Sequence, residues 1–338
     1  STNSSSPGVT LNLIGNTTPL KKLKISNNGT VYTYPTININ NDITTSGTID
    51  LYGSKVLAST VTLTSTDNVV TFKGDTNATT SGVEELTIDA GTANIILSNS
   101  DTGTTTPLKN VTFTGNQLQL YGDIKTKTSG VDLTFDIPIS LTDPYYSTYI
   151  TDIGTGKIIL KQAVSGTVSS SVLEVNAGNE SIDIWANIDV RGWINLLSPV
   201  TLCNNVEMTS KQIRFVETLN GAYELTATST GSYNYISFEN NIGELVAPHS
   251  LILTGREIIL PAITNVNTQA GGNAVSINGI TVFDTSSAIS FTDTGSQGVT
   301  FQGDILVPNH HTFTITSPGP LTFAGNIGLL GHYPGAAI

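Results

Sequence analysis

A short phrase returns along this chain: a bulky apolar residue, any residue, Gly or Asn, Asp or Asn, then usually Ile. It reads "FQGDI" at 301–305, "FAGNI" at 323–327 and "LYGDI" at 120–124. Looser copies are "FKGDT" at 72–76 and "FTGNQ" at 113–117. Phe301 and Phe323 are 22 residues apart. Because periods of about 20–50 residues are typical of solenoids, propellers and arrays, the phrase predicts a repeat architecture.

A longer period supports a unit of this size. "TTPLK" at 17–21 returns at 105–109, and "LTIDAG" at 86–91 returns as "LEVNAG" at 173–178. The two intervals are 88 and 87 residues, which is about four units. The repeat is therefore genuine, although its text has diverged between copies.

The phrase itself alternates between apolar and polar residues. Val299 and Phe301 alternate with Thr300 and Gln302, a period of two that is typical of a strand with one apolar face. Gly303 is expected to supply a backbone position with positive φ at the turn that follows. One unit of about 21 residues would therefore hold two or three short strands separated by sharp turns.

These strands select the architecture. A propeller blade needs about 40–50 residues and four antiparallel strands, whereas about 21 residues with three strands fit one coil of a β-helix. We predict an all-β fold: a right-handed parallel β-helix, or β-solenoid, with about 21–22 residues per coil. It would form a single rod over 11–338, after a flexible polar N-terminus at 1–10, with less repetitive insertions around 140–165 and 200–290.

Two packing expectations follow from the repeat. The phenylalanines of the phrase should point into one continuous core: Phe72, Phe113, Phe301 and Phe323. Gly303 and Gly325 should occupy equivalent turns in adjacent coils.

Composition limits the functions open to the chain. Only 12% of the residues are charged, and the net charge is −12, so the field of the protein repels phosphate and nucleic acid is not an expected partner. The apolar runs fall far below the ~18 residues that a membrane helix needs, so no direct membrane span is expected. The only cysteine, Cys203, cannot form an internal disulfide and is interpreted as a small buried hydrophobe. Since the chain begins without Met or a signal peptide, we expect a processed or excised piece.

Several stretches resemble a known group of proteins. "ELTIDAGTANIILS", "TTPLKNVTFTGNQLQLYGDIKTKTSG" and "VDLTFDIPISLTD" are similar to the repeats of very large bacterial surface proteins, the filamentous-haemagglutinin-like and related β-strand-repeat adhesins. The resemblance covers about 11–200 and returns at 299–327, whereas 140–165 and 200–290 contain unique text. It implies a β-solenoid that serves as the stalk of an adhesin.

Catalytic chemistry finds little support in the sequence. β-Helix enzymes that act on acidic polysaccharides need clustered carboxylates and a Lys or Arg. The three arginines lie in separate repeat units, although stacking could still gather them: Arg191, Arg214 and Arg256. Carboxylates that follow the turn glycine are interpreted as turn chemistry: Asp75, Asp123 and Asp304. We predict no catalytic residue and no cofactor.

Histidines do not suggest a metal centre either. His310 and His311 are adjacent, so on a strand their side chains would point to opposite faces. His249 and His332 stand alone in the sequence. We therefore predict no metal site.

Tyrosines offer the one candidate binding surface. "DPYYSTY" contains Tyr145, Tyr146 and Tyr149, and "GSYNYISF" contains Tyr233 and Tyr235. Such rings can stack on the faces of sugars, and these five residues are the candidate glycan contacts. Packing of loops is the alternative interpretation, and the sequence favours it.

The predicted function is a structural rod or stalk of a bacterial cell-surface or secreted fibre protein, adhesin-like and non-catalytic. One alternative is a self-assembling subunit of an extracellular filament. A second is a polysaccharide-active β-helix enzyme or carbohydrate-binding module. The expected partners are further solenoid repeats or identical subunits stacked head to tail, together with host or environmental glycans, and the expected location is extracellular.

Overall fold

The computed structural model describes a chain built from short strands. The described residues are 8–12, 14–26, 35–142, 147–168, 171–231, 234–269, 272–283, 288–307 and 312–329. They contain no helix, so none that could span a membrane, and their parallel sheets stack as a β-solenoid of about 12 turns. The predicted all-β, parallel β-helix class is therefore confirmed. The chain divides into two compact units, 1–180 and 181–338.

The described part of the first unit contains strands of three to six residues. They are β1 (Val9–Leu11), β2 (Leu23–Ile25), β3 (Thr36–Ile39), β4 (Ile43–Thr45), β5 (Ile49–Tyr52), β6 (Ser54–Leu57), β7 (Val61–Ser65), β8 (Val70–Lys73), β9 (Thr76–Ala78), β10 (Glu85–Asp89), β11 (Ile95–Ser98), β12 (Asn110–Thr114), β13 (Leu118–Leu120), β14 (Ile124–Thr126), β15 (Leu133–Phe135), β16 (Ile139–Leu141), β17 (Ser147–Asp152), β18 (Ile158–Leu160), β19 (Val164–Gly166) and β20 (Val172–Asn176).

The described part of the second unit includes two longer strands, β30 and β32. Its strands are β21 (Ile182–Ile184), β22 (Ile188–Val190), β23 (Trp193–Leu196), β24 (Val200–Leu202), β25 (Val206–Ser210), β26 (Gln212–Phe215), β27 (Leu219–Asn220), β28 (Glu224–Ser229), β29 (Tyr235–Phe238), β30 (Ser250–Leu260), β31 (Ile263–Val266), β32 (Val275–Phe283), β33 (Ile289–Asp293), β34 (Val299–Phe301), β35 (Ile305–Val307), β36 (Phe313–Thr316), β37 (Leu321–Phe323) and β38 (Ile327–Leu329).

Each coil lays its strands in parallel register against the coils before and after it. In the first unit, Ile49 of β5 lies opposite Leu23 of β2 and Val70 of β8. In the second, β26 lies between β23 and β29, so that Ile213 faces Ile194 and Ile236. These paired residues are inward positions of successive coils, which is the arrangement that the repeat phrase predicts.

Coil length varies more than the repeat suggests. Ile37 pairs with Lys55, 18 residues later, whereas Ile263 pairs with Ser290, 27 residues later. Extra residues fall at the corners between strands, where they leave the alternation of inward and outward side chains intact. The pairing continues through the described parts of 140–165 and 200–290, where the text is least repetitive: β17 pairs with both β14 and β20.

The core of each unit is a stack of Ile, Leu, Val and Phe side chains from the inward positions. Ile49 and Leu51 of β5 are fully buried, while Asp50 and Tyr52 between them are partly exposed. Burial of such a side chain stabilises the fold by about 1.5–3 kcal/mol relative to exposure. The period of two therefore has a direct energetic basis.

Three of the four phenylalanines of the phrase lie in the core, and one does not. Phe72, Phe113 and Phe301 are buried, whereas Phe323 is 41% exposed. The Phe323 ring stacks on that of Phe301, with centroids 5.7 Å apart. Among the described strands β37 pairs only with β34, so the Phe323 ring is covered on one side. The expectation that Phe323 is buried is wrong for this reason.

The turn glycines stack as expected, but for a different reason. Gly279, Gly303 and Gly325 lie one above another in successive coils. A Cβ added at Gly303 would lie well under 3.0 Å from the carbonyl oxygen of Gly279, and one added at Gly325 would meet Gly303 in the same way. Neither Gly303 nor Gly325 has a backbone in the left-handed region, so the expected positive φ at Gly303 is wrong. Close approach of neighbouring coils requires glycine at this corner.

Candidate functional site

The Asp or Asn of the repeat phrase holds the next coil by its backbone. A carboxylate oxygen of Asp42 accepts the backbone N–H of Thr62 at 2.7 Å. In the same way, Asp304 accepts from Asn326 at 2.8 Å. Each of these bonds joins one coil to its successor at a corner, where the strand ladders are interrupted. The interpretation of these carboxylates as turn chemistry agrees with this geometry, and we refer to such a bond as a cross-coil cap.

One column of the first unit carries acidic residues in successive coils. The backbone N–H of Asp101 donates to Asp75 at 3.3 Å, and that of Asp123 donates to Asp101 at 3.0 Å. Burial raises the pKa of Asp123 to about 6; the N–H of Tyr149 opposes this rise, and the charges of Asp101 and Glu174 add to it. Within the described residues, no three His, Cys, Asp or Glu side chains are grouped so that they could hold a metal ion.

Asp152 is fully buried at the end of β17, and its carboxylate is surrounded by donors. It accepts the hydroxyl of Thr126 at 2.8 Å, and both the backbone N–H and the hydroxyl of Thr128, at 2.9 and 2.7 Å. The backbone N–H of Gly154 adds a fourth bond at 3.2 Å. Hydrogen bonds of this kind replace the water that a buried carboxylate loses, so Asp152 fastens a corner between two coils.

The second unit repeats this arrangement at Asp293. This carboxylate is also buried, and it accepts the backbone N–H and the hydroxyl of Thr268, at 3.1 and 3.0 Å. Gly295 donates its N–H at 2.9 Å, and the hydroxyl of Ser317 in the next coil donates at 3.0 Å. Sequence reasoning did not single out either aspartate. The shared text "TDIG" and "TDTG", each at the end of a strand, is the signal that identifies them.

Lys55 is the most unusual charged residue of the first unit, because its side chain points inward from β6 and is fully buried. Its ammonium group donates to the carbonyl oxygens of Gly53 at 2.8 Å and Lys73 at 3.1 Å, and also to that of Gly74. The nitrogen lies 5.0 Å from the centre of the Phe72 ring. These carbonyl groups come from the turns of two successive coils, so Lys55 links them from within the core.

Burial lowers the pKa of Lys55 from 10.5 to about 7, against an opposing effect of the Asp75 charge. Between these two pH values the unfolded chain binds more protons than the folded protein, so the stability rises with pH over this window. The rise is at most about 1.4 kcal/mol for each pH unit. The dependence should be absent below the lower value, where both states carry the proton.

We expect Lys55→Met to remove this contribution. The difference in free energy of unfolding between the unchanged protein and the variant should shift in favour of the unchanged protein as the pH rises from 7 to 10, as measured by urea denaturation. Lys24→Met is the matched control, because Lys24 is exposed. Equal pH profiles for Lys55→Met and the unchanged protein would contradict the prediction.

The structure describes only two of the five tyrosines proposed as glycan contacts. Tyr149 on β17 is 41% exposed, and Tyr235 on β29 is partly exposed. They belong to different compact units. Tyr145, Tyr146 and Tyr233 lie outside the described residues.

The remaining candidates from the sequence are a histidine and a cysteine. His249 lies 2.9 Å from the side-chain nitrogen of Gln269, and its ring centre is 6.4 Å from that of Tyr223. Cys203 is partly buried, and its thiol lies 3.8 Å from the carbonyl oxygen of Thr201. His310, His311 and His332 lie outside the described residues.

The parallel ladders, the stacked core and the cross-coil caps define the chain as a β-solenoid protein. Comparisons with models of known families, with curated proteins and with solved structures find no match. The function is therefore argued from the geometry of the coils.

Proposed function

We propose that the chain is a structural segment, the stalk of a bacterial cell-surface or secreted fibre protein, and that it is not an enzyme. The cross-coil caps carry the proposal. Asp42 and Asp304 each hold the backbone of the next coil, and the buried Asp152 and Asp293 bind donors from neighbouring coils. In this arrangement the most ordered polar groups of the chain serve cohesion between coils.

The mechanical argument follows from the way a solenoid is held together. Each repeat contacts only its neighbours, so the resistance of the whole is set by the interfaces between coils. Here those interfaces combine backbone ladders, stacked apolar side chains and caps at the corners. A corner without its cap would be the weakest point, because its backbone N–H would lose its partner.

The resemblance of the repeats to those of filamentous-haemagglutinin-like adhesins supports a location at the cell surface or in a secreted fibre. On this proposal the chain is exposed to proteases and shear, conditions in which a continuous ladder of hydrogen bonds is an advantage.

The proposal predicts that removal of the caps weakens the chain. We expect the double variant Asp42→Ala, Asp304→Ala to unfold at lower force in single-molecule stretching and to be cut faster by protease, since each lost bond to a part-buried N–H costs roughly 1–3 kcal/mol. The matched control is Asp42→Asn, Asp304→Asn, which keeps an acceptor oxygen; Asn326 follows the turn glycine at the equivalent position of the next coil. Equal unfolding force in all three proteins would contradict the mechanical role.

Two further measurements test the location and the absence of catalysis. Antibodies against the chain should label intact cells of its source, and labelling confined to the cytosol would overturn the surface proposal. Incubation with polygalacturonate should release no unsaturated sugar ends. Release of such ends would favour the alternative of a polysaccharide-active β-helix enzyme.

A self-assembling filament subunit is the second candidate, and one observation favours it. In the described part of the chain, β36, β37 and β38 each pair with a single strand, and their coil exposes Leu321, Phe323 and Ile327. A further coil would cover these side chains and edges, supplied either by the same polypeptide or by an identical copy stacked head to tail. Sedimentation distinguishes the two, because only stacking of copies depends on protein concentration.

A further inference from the structure

The second unit gathers its positive charges along one side. Residues 181–338 contain 11 carboxylates and 4 Lys or Arg residues. The four cations are Arg191, Lys211, Arg214 and Arg256. In the sequence they are spread over 66 positions, yet all four lie on or beside the same corner of the stacked coils.

Backbone contacts place these residues in successive coils. The N–H of Lys211 donates to the carbonyl oxygen of Gly192 at 2.9 Å, which sets Lys211 one coil beyond Arg191. The N–H of Arg256 donates to the side chain of Asn234 at 3.3 Å. Arg256 thus lies two coils beyond Lys211, because the coil between them contributes Asn234. With about 4.8 Å between strands, Arg191 and Arg256 are about 14 Å apart along the stack.

Aromatic rings line the strand face next to this corner. Trp193 lies opposite Gln212, which in turn lies opposite Tyr235 and then Glu257 in the following coils. Trp193 is 46% exposed. Arg214, two residues beyond Gln212 on the same strand face, forms an ion pair with Glu239, with Nη2 and Oε2 3.1 Å apart.

We propose that this surface binds an anionic polysaccharide, and we call it the basic strip: Arg191, Lys211, Arg256, Trp193 and Tyr235. Guanidinium and ammonium groups suit the carboxylates of uronic acid residues, with Arg giving paired hydrogen bonds. The flat faces of Trp193 and Tyr235 suit the apolar faces of sugar rings, while their polar edges stay in water. The chain of sugars would run along the stack, since the cations and the rings both repeat in that direction.

Charge distinguishes this ligand from nucleic acid. Double-stranded DNA carries one charge for about every 1.7 Å, and the strip offers three cations over about 14 Å. Glu257 lies at the end of the aromatic row, where it would repel a densely charged polymer but can accept hydroxyl groups of a sugar. A polymer with one carboxylate for each one or two sugars fits this spacing of charges better.

This inference concerns binding and does not rest on the stalk proposal. Its test uses Trp193 as the reporter. The chain has two tryptophans, so Trp185→Phe leaves Trp193 as the only one. In that background, polygalacturonate should change the Trp193 emission saturably, the apparent affinity should fall with added NaCl, and neutral dextran should cause no change.

Neutralising the strip should weaken this binding. We expect Arg191→Gln, Lys211→Gln, Arg256→Gln in the same background to lower the affinity for polygalacturonate on the order of tenfold, because three exposed charge contacts are lost. The matched control is Lys21→Gln, Lys24→Gln, Lys127→Gln, which removes the same charge from exposed lysines of the first unit. It should leave the affinity within about twofold, as expected for charges that do not touch the ligand.

Three results would overturn the proposal. The first is the absence of any change in Trp193 emission with polygalacturonate. The second is an equal loss of affinity in the control triple variant, which would indicate general attraction by charge. The third is tighter binding of single-stranded oligothymidylate than of polygalacturonate, which would assign the strip to nucleic acid instead.

Discussion

Replacement of Phe301 by Ala should lower the free energy of unfolding by roughly 3–5 kcal/mol, the usual range for a fully buried ring in a packed core. The Phe301 ring is fully buried and contacts two other rings, with centroids 5.6 Å from that of Phe291 and 5.7 Å from that of Phe323. Its removal would leave a cavity that the rigid backbone ladders on both sides cannot collapse. Urea denaturation followed by circular dichroism measures the effect.

Phe323→Ala is the matched control for this experiment. Both residues occupy the same position of the repeat phrase, and Phe323 is 41% exposed. Its loss should cost less than half as much as the loss of Phe301, since water already covers part of the ring. If the two variants are equally stable, the core does not depend on the stacked rings as the structure indicates.

The sequence predicts the strands of the fold well, because each strand follows from local alternation. In "VTFQGDI" the inward positions Val299 and Phe301 can be identified from period two alone, and both are buried. Exposure of Phe323 could not be predicted, since it depends on which strands lie beside β37. Coil length was also out of reach, because extra residues at a corner change the count without changing the alternation.

The polar features of the site divide in the same way. The caps formed by Asp42 and Asp304 follow from the repeat phrase, where an acceptor after the turn glycine serves the next coil. Lys55 could not be placed from its own sequence, because the carbonyl groups of Lys73 and Gly74 that hold it lie 18 and 19 residues further on. A lysine in a short strand is ordinarily expected to face water.

The basic strip shows what stacking adds to a sequence. Three arginines in separate repeat units carry no visible relation to one another until the register of the coils is known. The pairs Trp193–Gln212 and Tyr235–Glu257 fix that register, and they bring Arg191 and Arg256 to the same corner. The number of residues between the cations gives no hint of this, since the coils that separate them differ in length.

Gly303→Ala is expected to destabilise the second unit strongly. Because the backbone of Gly303 is not in the left-handed region, the entropy of the unfolded chain alone would make this substitution stabilising by about 0.4–1 kcal/mol. The added Cβ, however, would lie well under 3.0 Å from the carbonyl oxygen of Gly279 in the coil before it. That atom is backbone within a continuous ladder and cannot move aside, so we expect a net loss of roughly 3 kcal/mol, at the upper end of the cost of overpacking.

The sign of the effect decides between the two possible roles of this glycine, and urea denaturation measures it. Gly8→Ala provides the reference, because a Cβ there would make only ordinary contacts of 3.7 Å. Gly325→Ala should resemble Gly303→Ala, since its Cβ would meet Gly303 in the same way. Stabilisation by Gly303→Ala would mean that the coils can separate at this corner without cost. Destabilisation by both glycine variants, with Gly8→Ala neutral, would show that the glycine of the repeat phrase is required by the contact between one coil and the next, and that the phrase itself records that contact.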